Sequence, residues 1–144
     1  MKLSEREKSI LRESLLRFEE EREAMASLFY ANMFKISPNL RPMFGSDIMG
    51  QTQKTMLELS AIVAILDDTD ACARMIEELA LRHIGYGVLP EHYPSVGEAL
   101  LLTIQQVFGP RFSQEHYATW RAAYAEMSRI MIDAAYPDEK GIAV

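Results

Sequence analysis

Three histidines stand among the residues that could hold a metal or move a proton, and their spacing separates them. His83 follows Ile76, Leu79 and Ala80 at intervals of seven, four and three, which places its imidazole on the apolar face of a helix. There a neutral imidazole needs a partner for each ring nitrogen, either as a hydrogen-bonded core residue or as a ligand to something bound. His92 and His116 fall near expected helix starts and read as solvated. Gln51 and Thr55 lie four apart and share a helix face with Leu59, which should turn inward. That face either opens on solvent or overlooks a ligand. Tyr30 follows Phe29 on a mostly apolar segment and would bring a hydroxyl into a dry region.

Other chemistries lack their signatures. The sequence has no G-x-S-x-G, no H-E-x-x-H, no phosphate-binding loop and no Cys/His spacing for a metal site. With Cys72 as the one cysteine, no internal disulfide can form, and a small buried residue in a reducing compartment is expected. The 144 residues carry 15 Lys and Arg against 21 Asp and Glu, a formal charge of −6 that disfavours nucleic acid and anionic membranes as partners. The opening MKLSEREKSI is charged where a signal peptide needs an apolar run, and no stretch nears the roughly 18 apolar residues of a membrane span. A cytoplasmic protein is therefore expected, with 49% apolar residues sufficient for one domain around one core.

Helices must position these residues. Ser4 and Glu7 form a capping-box pattern ahead of a stripe of Leu11, Leu15 and Phe18. A second helix is expected over 22–36, with Met25, Leu28, Phe29 and Met33, and a short helical turn from Ser37-Pro38 to near Phe44. Further helices are expected over 48–66, 70–84 and from Pro90 to Phe108, with breaks at Gly85–Leu89 and Gly109-Pro110. The last carries Tyr117, Trp120, Tyr124, Met127 and Met131 at spacings of three and four and stops at Pro137. No segment alternates at period two long enough to make a strand, so the fold class is all-α. The final two helices, joined by a tight Gly-Pro turn, should form an antiparallel hairpin crossed by the earlier ones. The domain is expected over 1–137, with 138–144 as a frayed tail.

Several stretches together resemble the globin family, specifically single-domain bacterial globins and the globin domain of flavohaemoglobins. They are Leu28-Phe29-Tyr30 with Met33-Phe34, Pro42-Met43-Phe44, Gln51-Thr52-Gln53-Lys54, and above all Arg82-His83-Ile84-Gly85-Tyr86-Gly87-Val88 followed by His92-Tyr93-Pro94-Ser95-Val96-Gly97. Trp120 and Tyr124 fit the final helix of that family. The resemblance implies a three-over-three helical sandwich around a haem pocket. It makes His83 the proximal iron ligand, stacks Phe44 on the porphyrin, and turns Tyr30 and Gln51 toward the gas. Thr55, Leu79, Val88 and Tyr93 complete the cofactor's surroundings, while Lys54 and Arg82 pair with its propionates. Because C-x-x-C-H is absent, the haem should be b-type and non-covalent.

Two positions depart from the family. Thr55 stands where an aliphatic residue is usual and is expected to bond back to its own helix. Ala135 stands where flavohaemoglobins carry a glutamate against the proximal histidine, and Asp133 should point elsewhere, so a backbone carbonyl such as that of Leu79 is the expected acceptor. The implied function is oxygen binding or storage at a five-coordinate ferrous iron, by a monomer or weak homodimer that also takes nitric oxide and carbon monoxide. Nitric oxide dioxygenation would need an external reductase, since no reductase region follows. The alternative is a gas sensor acting through a separate partner protein. No side chain is assigned a catalytic role.

Overall fold

A computed structural model describes residues 2–137. The described chain contains six α-helices: α1 (Glu5–Glu20), α2 (Arg22–Ile36), α3 (Ile48–Ala64), α4 (Thr69–Gly85), α5 (Tyr93–Phe108) and α6 (Gln114–Ala135). Short 3₁₀ turns at Pro38–Met43, Pro90–His92 and Gly109–Arg111 link them. Each terminus has a local cause. Ser4 Oγ accepts from the Glu7 amide while the Glu7 carboxylate accepts from the Ser4 amide, the reciprocal cap that starts α1. Asp47 and Asp68 cap α3 and α4 in the same sense, each accepting from an amide three residues on. The segment from Pro90 to Phe108, read as one helix, is divided: a 3₁₀ turn comes first and α5 begins at Tyr93. The expected frayed tail, 138–144, lies outside the described residues.

The α5–α6 hairpin is present, yet its helices find their largest partners elsewhere: α5 on α2, and α6 on α4. Burying an apolar stripe contributes about 25 cal/mol for each Å² removed from water, which favours the pairing that covers most area over the one nearest in sequence. Trp120 anchors α6 against α1, donating its indole N–H to Ser14 Oγ at 3.0 Å, with its ring centroid 5.2 Å from Phe18. Gly97 on α5 permits a close approach to α6, because a Cβ there would lie 2.3 Å from the Tyr124 ring. After α4 the chain turns through Gly87, whose φ of 81° is open to glycine at no steric cost. This reversal brings the Val88 amide to the His83 carbonyl at 3.2 Å and sets the turn beneath the cavity residues that follow.

Candidate functional site

The helices leave one large cavity, with about 1270 Å³ of atom-free space, part of it open to solvent. Phe29, Met33, Leu40, Met43 and Phe44 contribute from α2 and the following turn; Gln51, Lys54, Thr55, Met56, Glu58, Leu59 and Ile62 come from α3. From α4 and the turns after it come Leu79, His83, Tyr86, Val88 and His92, with Tyr93, Val96 and Leu100 of α5 and Tyr124, Met127, Ser128 and Met131 of α6 completing the wall.

His83 sits in the last turn of α4, half-buried, with Nδ1 donating to the Leu79 carbonyl at 2.8 Å. That bond places the proton on Nδ1 and leaves the Nε2 lone pair to face a ligand. Burial pushes the imidazole pKa below its ordinary 6.5, opposed by the Leu79 bond and by the negative charge of Glu58. The hydroxyl of Thr55 bonds back to the Gln51 carbonyl at 3.0 Å, which removes it as a free donor. Gln51 Oε1 accepts from the Gly45 amide at 3.0 Å, leaving its NH₂ group as the donor. Phe44 lines the cavity with its ring edge-on to Phe34, centroids 5.2 Å apart.

Two expected site residues lie off this wall. Tyr30 does not line the cavity: its ring packs edge-on to Phe34 at 4.9 Å and its hydroxyl accepts from Arg41 Nη1 at 3.0 Å. The reason is helical phase, since Phe29 and Met33, four apart, already hold the inward face of α2. Arg82 also turns away, with its guanidinium 3.6 Å from the Glu58 carboxylate across the α3–α4 gap. His92, read as solvated, is instead 8% exposed and borders the cavity, its Nδ1 accepting the Leu89 amide at 2.8 Å.

Sequence reasoning also passed over Glu58 and Ser128. Glu58 is one turn beyond Lys54 and Thr55 on the same face of α3, so their spacing could have found it. Ser128 is four residues after Tyr124 on the seam of α6, with its buried Oγ beside the Tyr124 side chain. On the α6 side, Ala135 offers no carboxylate and Asp133 binds Arg129 at 3.2 Å. The Tyr136 hydroxyl donates to the Val88 carbonyl and ties the end of α6 to the turn after α4. Burial, with the Tyr136 phenol nearby, pushes Tyr93 up to about 12, so its hydroxyl stays protonated.

The site is thus a largely apolar cavity between helices, with one imidazole whose Nε2 lone pair is left open. The chain belongs to the globin family, whose model matches residues 27–131. It is 35% identical over 134 residues to a flavohemoprotein of Deinococcus radiodurans, covering 90% of this chain and 33% of that protein. It is 33% identical over 113 residues to a flavohemoprotein of Bordetella pertussis, covering 76% and 28%. The chain thus spans about a third of the length of these relatives. Among solved structures, a bacterial globin of Campylobacter jejuni superposes with a TM-score of 0.82 at 21% identity, over 95% of this chain and 99% of that one. An engineered carbene transferase from Rhodothermus marinus superposes with a TM-score of 0.84 at 24% identity, over 99% and 100%. The expected all-α globin architecture is therefore the one found, and the family implies haem and diatomic gases as ligands.

The residues present fit that group. Among the described residues no three His, Cys, Asp or Glu side chains converge to hold a metal ion. His83 Nε2 would hold a metal that brings most of its donors with it, as haem iron does. Among the described residues no helix is long and apolar enough to cross a membrane.

Proposed function

We propose that the protein binds one non-covalent b-type haem through His83 Nε2 and uses it to hold oxygen. The observation that carries this reading is the His83–Leu79 hydrogen bond, which orients a lone pair into a cavity walled mainly by apolar side chains. When bound, the haem would supply a redox-active iron able to take a diatomic gas. The chain's own residues set the terms of that chemistry. Leu79 fixes the ring tautomer and acts as a neutral hydrogen-bond acceptor. A carboxylate in its place would give the imidazole imidazolate character; the carbonyl does so much less.

On the α3 side, the Gln51 NH₂ is the donor available to a ligand that gathers negative charge, while Thr55 is spent on its own helix. Leu59, Ile62, Met56 and Phe29 exclude water from the same space. These features suit retention of oxygen, and hence its storage or its reaction with nitric oxide, more than rapid transport. Turnover in the second case requires electrons from a reductase.

The absorption spectrum of the purified protein tests the reading. A Soret band at one haem per chain is expected, and His83→Ala should abolish stable binding or convert the spectrum. A variant spectrum identical to the native one would remove His83 from the ligand position.

A further inference from the structure

We propose that His92 forms a carboxylate-binding subsite in the cavity wall and takes a propionate of the haem, an inference that rests on the haem-binding reading above. The two histidines that border the cavity carry their protons on opposite nitrogens. His83 donates from Nδ1 to a carbonyl and keeps a lone pair on Nε2. His92 is the reverse: the Leu89 amide donates to its Nδ1, which must be unprotonated, so the neutral ring carries its hydrogen on Nε2. His92 therefore cannot offer Nε2 to a metal without giving up that backbone bond, but it can donate.

The His92 side chain is buried in the packing and borders the cavity, and its one hydrogen bond among the described residues is the one that Nδ1 accepts, so Nε2–H is available to a ligand there. A donor at the wall of a largely apolar cavity pairs best with a charged acceptor. The haem carries just one kind of strong anionic acceptor, its two propionates. Lys54 of α3 borders the same cavity and offers a cationic partner to the other. Arg82, the cation expected for this task from sequence, is held at Glu58 instead. This also lowers the repulsion that the Glu58 carboxylate would direct at an incoming propionate.

The test compares haem with its dimethyl ester, which keeps the ring and iron but removes both negative charges. Apoprotein is reconstituted with each, and loss to an excess of apomyoglobin is followed by absorbance. The native protein should release the ester much faster than the acid. In His92→Phe that ratio should shrink by about tenfold, the size expected of one hydrogen bond to a charged acceptor. His92→Gln, which retains both an acceptor and a donor, should restore part of it. Should the phenylalanine variant fail to fold by circular dichroism, His92→Met, with a flexible apolar chain, supplies the same comparison. An unchanged ratio, or equal acceleration of acid and ester, would overturn the subsite and leave His92 as a cap for Leu89. Failure of the native chain to take up either porphyrin would overturn the haem reading itself, and the subsite with it.

Discussion

Gln51 and Tyr30 look equivalent in sequence, as polar residues on inward segments, but the structure gives them different reach. Gln51 keeps an NH₂ donor at the cavity, whereas the Tyr30 hydroxyl is engaged by Arg41 away from the cavity lining. Gln51→Leu should therefore speed oxygen release by about tenfold, the equivalent of one hydrogen bond of about 1.4 kcal/mol, and change carbon monoxide release less. Tyr30→Phe should change oxygen release less than twofold. Stopped-flow ligand replacement on the two variants measures both, and a larger effect at Tyr30 than at Gln51 would reverse the assignment. Ala135→Glu addresses the other side of the same site. A carboxylate reaching the imidazole should raise the iron–histidine stretching frequency above that of the native chain, where Leu79 is the acceptor.

At the scale of elements, the site depends on two contacts that hold α6 in place. Tyr124 donates to the Tyr93 carbonyl at 2.6 Å and lies against Gly97, so its ring is pinned between α5 and the cavity. Gly97→Ala has to push that ring, and overpacking of this kind costs about 1–3 kcal/mol. Denaturant unfolding should show the loss, with retention of haem weakened as the ring moves toward the cavity. The second contact is Tyr136 to Val88. Tyr136→Phe removes one hydroxyl and should cost about 1 kcal/mol, or about 3 °C in Tm. A loss no greater than that of an exposed substitution on α1 would show that the clamp contributes nothing.

Across the whole molecule, Asp67 joins the ends of the chain's first half. Its carboxylate receives Lys8 Nζ at 3.1 Å and Arg12 Nη2 at 2.7 Å, which ties α1 to the connection between α3 and α4. The hydrogen bond from Lys8 and the charge of Arg12 hold Asp67 below its ordinary 3.8. A depressed folded-state value means that the contribution is complete above about pH 4 and is lost as pH falls through the lower folded value. Asp67→Asn should accordingly lower Tm slightly at neutral pH, and the difference from the native protein should close in acid. The effect is small because the pair is exposed and screened. Haem itself should act far more strongly: a ligand at a thousand times its Kd stabilises the folded state by about 4 kcal/mol, so adding haem should raise Tm in the native chain and not in His83→Ala.

The helical plan was legible in the residues because caps and 3.6-residue spacing are local. Ser4 with Glu7, the stripe through Ile76, Leu79 and His83, and the break at Gly87 each act within one or two turns. The back-bonding of Thr55 and the Leu79 acceptor for His83 are likewise contacts between residues four apart, and helical geometry alone brings them together. What sequence could not decide were choices that depend on partners distant along the chain. Ser14 is buried because Trp120, more than a hundred residues away, supplies its donor. Arg82 faces Glu58 because α4 lies beside α3, and Tyr30 turns to Arg41 because Phe29 and Met33 occupy the cavity face. His92 was misjudged for the same reason. A polar residue at a helix start has no local signal of burial, and only the packing of α5 on its neighbours closes the space around it.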